Sequence, residues 1–287
     1  MNRKHAGVLA VICASVMWAI EPVLAKLSYQ NSDFLHTSAV RAFVVTLVAL
    51  SYMAIKGASP AVGRKQLPAL VYIGIVGTLF ADLLYFFAMA EIPVVNVVLI
   101  GHMQPVFIIL IGFLILREEK LARIDYAGIA FMMLSALMVS TGTIGNLQSM
   151  KFGTLGDVLV LVSTISWATA AIAVRKYLTG MNAGVIAFYR FLIASTAFAV
   201  YLTATSGIVI ANVYQIAVGI VVGVGTILYY EGLKRIKAAQ VSALELSAPF
   251  FAAVIAFAVL GEMLTPFQIA GIAMLFPGIY YLSKKEG

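Results

Sequence analysis

Gly7 to Tyr29 reads GVLAVICASVMWAIEPVLAKLSY, an apolar run that carries Glu21 and Pro22 side by side past its middle. The run is long enough to cross a hydrocarbon core, which takes about 20 residues of helix. A charge at that depth costs at least roughly 2.5–3.5 kcal/mol. Proline removes a backbone hydrogen bond and frees a carbonyl about one turn earlier, here near Trp18. Both are tolerated where protein or cavity water satisfies the polar groups. The run therefore reads as a membrane helix kinked at Pro22, with a polar side turned to an interior.

The rest of the chain obeys the same solvent. Of its 287 residues 62% are hydrophobic and 11% charged, with mean hydropathy +1.02. A water-soluble fold of that length could not hide so much apolar surface. Ten apolar runs fall at 7–28, 34–55, 67–90, 94–116, 122–142, 153–174, 183–205, 209–233, 238–260 and 264–283. They are continuous and about twice the length of a tilted barrel strand, so the expected fold is an all-α integral membrane bundle of ten spans. The basic, then apolar, N-terminal stretch has no small-residue cleavage site followed by a soluble domain, and is read as a retained first span. The only cysteine, Cys13, lies inside a run, which excludes an internal disulfide and a cysteine metal cluster. No metal and no cofactor is expected.

A net charge of +7 raises the question of nucleic acid. The basic residues lie in short clusters between apolar runs rather than on one folded face, so they read as orientation signals and nucleic acid is not an expected partner. Alternating the connections puts Arg3, Lys4, Lys56, Arg64, Lys65, Arg117, Lys120, Arg123, Arg175, Lys176, Lys234, Arg235, Lys237, Lys284 and Lys285 on one side, and Lys151 alone on the other. Both termini are accordingly expected in the cytoplasm, in a membrane of the prokaryotic inner, or plasma, type.

The opening run has a counterpart. Gly156 to Leu178, GDVLVLVSTISWATAAIAVRKYL, aligns with it so that Trp18 meets Trp167 and Lys26 meets Arg175, a shift of 149 that also pairs Arg41 with Arg190. Farther on, a shift of 144 pairs Tyr85 with Tyr229 and Pro105 with Pro249. EKLARIDYAG then matches EMLTPFQIAG, Glu119 on Glu262. The expected units are a first five-helix repeat over 1–143, an extracytoplasmic linker over 144–152 and a second repeat over 153–287. Five spans is an odd number, so the second repeat must enter the membrane inverted. Inverted repeats are an architecture of secondary transporters, in which one half rocks against the other around a midplane site.

On these features the chain resembles the drug/metabolite transporter (DMT) superfamily and, within it, the EamA family of ten-helix exporters. The resemblance runs over about residues 7–283. It rests on the two five-helix halves, the Trp-Ala of spans one and six (Trp18-Ala19, Trp167-Ala168), the prolines of spans four and nine (Pro105, Pro249), and the L-x-E…AG-x-x transitions into spans five and ten. It implies a basket-like bundle with a central cavity lined mainly by spans one, three, four, six, eight and nine, exporting amino acids or related metabolites. The superfamily also carries nucleotide sugars, sugar phosphates and drugs, which leaves the substrate open.

Groups that break the repeat are better functional candidates than groups present in both halves. Arg41 and Arg190 are symmetric, and read either as snorkelling or helix-bridging arginines or as members of gating ion pairs. Trp18 and Trp167 are symmetric too, and read as packing or as cavity wall. Glu21, Pro22, Asp82 and His102 face Ala170, Ala171, Thr226 and Leu246 in the other half. Counted at 1.5 Å per residue from the cytoplasmic side, Glu21 lies at about 21 Å, Asp82 at about 22 Å, His102 at about 18 Å and Arg41 near 20 Å, four ionisable groups at one level. Consecutive helices pack together, so Arg41 is expected to neutralise Glu21 and leave Asp82, with His102 nearby, free to titrate and couple transport to protons. Glu245 and Arg190, each about 10 Å from the cytoplasmic end, form a second expected pair. Tyr85, Tyr229 and Tyr230 complete an aromatic cavity suited to an amphipathic metabolite.

Rival classes leave no trace. No H-E-x-x-H, paired aspartate or Ser-His arrangement marks an intramembrane enzyme, and no G-x-x-x-x-G-K-[ST] marks ATP use. A channel or receptor is the alternative that saturable counterflow separates from a carrier. The expected partners are a small-molecule substrate, membrane lipid and protons.

Overall fold

The computed structural model describes residues 2–91, 123–149, 154–248 and 263–283, together with 100, 101, 103, 104, 107, 108, 111, 112, 250, 251, 254 and 255. Among the described residues every regular element is helical. The first helix, α1 (Arg3–Ser28), runs unbroken to Tyr29, whose N–H closes on Ala25 O at 3.1 Å. The winding is helical through position 22, where the kink is expected. The next, α2 (Phe34–Ile55), starts at Asp33, whose carboxylate accepts from His36 N at 2.8 Å and so satisfies an orphan donor of the first turn. Burial pushes the Asp33 carboxyl up, but the His36 backbone and ring outweigh it and hold the group below its usual value. The cap is therefore ionised at neutral pH and is lost only as pH falls through that lowered value.

The third span is one rod in three windings: α3 (Leu67–Gly74), a π-helical turn (Ile75–Phe80) and α4 (Ala81–Glu91). Within it Ala81 N–H reaches back to Val76 O, five residues earlier, the hydrogen bond that defines the π turn. Farther along lie α5 (Arg123–Thr141) and the short α6 (Ile144–Gln148). The second half contributes α7 (Leu155–Tyr177), opened by a Thr154/Asp157 capping box, α8 (Ala183–Thr205), and α9 (Val213–Leu233), opened by an Asn212/Gln215 box. It ends with α10 (Ala238–Glu245) and α11 (Pro266–Ser283).

Among the described residues six stretches are long and apolar enough to cross a membrane: Arg3–Glu21, Phe34–Ile55, Leu67–Tyr85, Leu155–Tyr177, Ala183–Thr205 and Val213–Leu233. Expected spans five and ten appear as α5 and α11. Span four, and span nine beyond α10, fall largely outside the described residues.

Helices of the first half pack on helices of the second: α1 on α9, α4 on α7, α2 on α8 and α9, α3 on α8, and α5 on α11. Their outward faces carry large apolar side chains such as Phe43, Val200, Tyr201 and Phe276, each more than half exposed, while Ser15, Thr164, Gln215 and Thr226 are buried. Apolar outside and polar inside is the distribution that a bilayer solvent selects. At one end the α1–α2 turn is laced to the α8–α9 connection: Asn212 Nδ2 donates to Ser28 O at 2.9 Å, Gln215 Nε2 donates to Ser32 Oγ at 2.8 Å, and His36 Nε2 lies 3.2 Å from Gly207 O. Gly207, at φ 76°, takes the left-handed conformation that ends α8.

Candidate functional site

Arg41 is 7% exposed and projects from α2 between two carboxylates. One terminal nitrogen donates to Glu21 Oε1 of α1 at 2.8 Å and the other to Asp82 Oδ2 of α4 at 3.0 Å. The remaining Asp82 oxygen accepts from Trp167 Nε1 of α7 at 3.0 Å. The guanidinium fork makes this bridge possible, since its N–H groups diverge in one plane and reach two acceptors at once. Asp82 is thus not left without a cation, as expected from helix adjacency; it shares Arg41 with Glu21. With both carboxylates ionised, the trio carries one excess negative charge.

Aromatic rings flank this clamp. Trp18 meets Tyr229 at 5.4 Å between centroids and Trp167 meets Tyr85 at 5.0 Å, while Tyr229 also touches Tyr230 at 5.6 Å. Each Trp–Tyr contact joins one half of the chain to the other. Gly225 makes room for the first: a Cβ there would sit 3.0 Å from Trp18 Nε1. Both tryptophans of the chain therefore stand at this site.

Arg190 of α8 is held differently. Its Nε donates to Thr78 Oγ1 at 2.6 Å, and its terminal nitrogens donate to Tyr230 Oη at 3.0 Å and Gly77 O at 2.9 Å. Among the described residues Glu245 is not a partner of Arg190, which corrects the expected ion pair; the guanidinium turns to the π turn of the third span instead. That leaves Glu245 in the neighbourhood of Tyr229. His102, Pro105 and Pro249 lie outside the described residues, as does the side chain of Pro22.

A sequence model of the EamA-like transporter family matches the chain twice, over residues 5–141 and again over 154–284. The chain belongs to the EamA-like transporter family. Similar proteins include the pseudopaline exporter CntI of Pseudomonas aeruginosa, 27% identical over 79% of this chain and 77% of that one. The riboflavin transporter ImpX of Fusobacterium nucleatum is 24% identical over 99% of both. A crystal structure 19% identical superposes with a TM-score of 0.79 over 96% of each chain, and so shares the fold. This EamA-like transporter is an integral membrane protein that acts on a small molecule.

Sequence reasoning located Arg41, Glu21, Asp82, Trp18, Trp167 and the three tyrosines, all of which the bundle gathers in one region. It missed the π turn. Thr78 and Gly77 were legible only as a helix-face residue and a small packing residue; no residue of Ile75–Phe80 announces a carbonyl turned to an arginine. Ser163 Oγ likewise donates to Ala81 O, at 2.8 Å, just past the turn. In this EamA-like transporter the third span offers backbone oxygen to the second half at the depth where Asp82 offers a carboxylate.

Proposed function

We propose that this EamA-like transporter is a secondary active exporter of small organic metabolites, amino acids or related compounds, working by alternating access. Its two inverted five-helix repeats, 1–143 and 153–287, rock about a central cavity, with both termini in the cytoplasm. The helix pairings support the symmetry: α1 on α9 repeats as α4 on α7, α2 on α9 repeats as α3 on α8, and α2 on α8 and α5 on α11 pair equivalent spans. The rings obey the same rule, Trp18 on Tyr229 repeating as Trp167 on Tyr85. Matches of one family model to each half agree with it.

The observation that carries the reading is the position of Asp82. It takes Arg41 from its own half and Trp167 from the opposite half, so it joins the carboxylate pair to the contact between the halves. Two carboxylates sharing one guanidinium can accept one proton while the remaining ion pair persists. Among the described residues Glu21 accepts from Arg41 alone, whereas Asp82 also accepts from Trp167, so Glu21 is the carboxylate that can take a proton with fewer contacts broken. Trp18, Trp167, Tyr85, Tyr229 and Tyr230 form the walls that receive the substrate.

The test is counterflow in proteoliposomes loaded with a pooled metabolite mixture and read by mass spectrometry against protein-free liposomes. Saturable exchange of one chemical class is expected. Leakage of all small solutes at a rate proportional to concentration would replace the carrier by a channel.

A further inference from the structure

Arg190 is a cation inside the bundle whose partners among the described residues are all neutral. A guanidinium has five N–H donors. Among the described residues three are engaged, by the Thr78 hydroxyl, the Tyr230 hydroxyl and the Gly77 carbonyl, and the two others, one on each terminal nitrogen, are not. The residue lies about 10 Å from the start of α8. At such a depth a cation needs an anion or a water-filled cavity. Among the described residues no carboxylate lies within four angstroms of it, whereas Arg41 has two. The imbalance is complementary: the Arg41 trio has one negative charge in excess and Arg190 one positive, separated along one rod by the single turn from Thr78 to Asp82.

A narrow cleft opens beside Tyr230, and its walls include Arg175, Thr179 and Lys234. Tyr230 is also the residue whose hydroxyl takes an Arg190 proton. Arg175 and Lys234 stand at the end of the bundle assigned to the cytoplasm, where Arg235 adds another cation against one carboxylate, Glu231, 3.3 Å from Lys234. A mouth with a surplus of positive charge concentrates anions. Leu178, Ile186 and Leu233, all nearly inaccessible, also line it, so the cleft is walled by protein rather than by lipid.

We propose that Arg190 is the recognition group for a carboxylate on the substrate, reached from the cytoplasm through the cleft beside Tyr230, which restricts the exported class to metabolites bearing an anionic group. This rests on the transport reading above and narrows it. The carboxylate replaces water on the two unused N–H groups, a charge-assisted bidentate contact of the kind arginine favours. Thr78, Tyr230 and the Gly77 carbonyl fix the plane of the fork. The π turn is what presents Gly77 O and Thr78 Oγ1 to the same guanidinium.

The experiment uses the two tryptophans as reporters and needs no knowledge of the natural substrate. Purified full-length protein is titrated with N-acetyl-leucine and, at equal ionic strength, with N-acetyl-leucinamide, which has the same shape with a carboxamide for the carboxylate. The expected result is a change in tryptophan fluorescence with half-saturation at least about tenfold lower for the carboxylate. Arg190→Gln is expected to erase that preference and Arg190→Lys to restore it in part, with thermal unfolding confirming that each variant is folded. The wild-type comparison stands without the variants. Equal responses to the two probes, including none to either, would overturn the proposal, as would a folded Arg190→Gln that keeps the preference. Counterflow separates this from the broader reading: exchange confined to solutes without an anionic group sinks the carboxylate assignment and leaves transport standing.

Discussion

Arg41 holds Glu21 and Asp82 at 2.8 and 3.0 Å, and among the described residues only Asp82 has a second donor. If protons drive export, neutralising the singly bonded one should abolish the coupling. Glu21→Gln is expected to remove stimulation of counterflow by an acid-outside pH gradient while leaving gradient-free exchange within about threefold of wild type, since a glutamine still accepts from Arg41. Asp82→Asn is expected to slow exchange under all conditions, because it disturbs the only acceptor of Trp167 and not merely a proton site. Retained gradient stimulation in Glu21→Gln would return the role to Asp82 or remove it from the pair. The shared level of these groups was legible because helical rise is constant and charge asymmetry orients the spans. Which carboxylate Arg41 would choose was not, because depth says nothing of azimuth, and the fork chose both. For Arg190 the same blindness mattered more: Glu245 matched in depth, but the partners lie on the third span.

At the scale of elements, the third span decides how closely the halves approach. Its π turn brings Gly77 against α7, where a Cβ would lie 2.8 Å from the Cβ of Ala170. Real Cβ atoms do not come so near, so Gly77→Ala must push the rod off α7, on which Trp167 meets Asp82. Overpacking of this kind costs about 1–3 kcal/mol. A lower melting temperature is expected, together with slower counterflow. Ala170→Gly in the same chain removes the opposing methyl and should recover part of the loss, although by itself it costs about 1 kcal/mol as a glycine in a helix. A double variant no better than Gly77→Ala alone would show that the methyl contact is not the cause. Helix lengths were readable from the apolar runs to within a few residues; the eighth run reads from 209, whereas Asn212 caps the helix and starts it at Val213. The π winding was not, because it answers to partners more than 80 residues away, Ser163 and Arg190.

For the whole molecule, alternating access requires that contacts between the halves at one end break while those at the other hold. The end assigned to the outside is laced by Asn212 on Ser28 O, Gln215 on Ser32 and His36 beside Gly207 O. The opposite end also has contacts between halves, among them Tyr189 Oη on Pro60 O at 2.9 Å and Arg3 on Lys234 O at 3.2 Å. Hydrogen bonds of this kind contribute about 0.5–1.5 kcal/mol each, few enough to exchange as the halves rock. The outer set must therefore open for export, and a covalent bond in its place must stop the cycle. With Cys13 replaced by serine, Ser32→Cys and Gln215→Cys put one thiol on each of the two segments that this hydrogen bond now joins. Oxidation is expected to abolish counterflow and reduction to restore it, the reduced variant serving as its own control for folding. Exchange at an undiminished rate with the cross-link formed would mean that the outer turns move as one body, and that substrate leaves by a path that does not part α1 from α9.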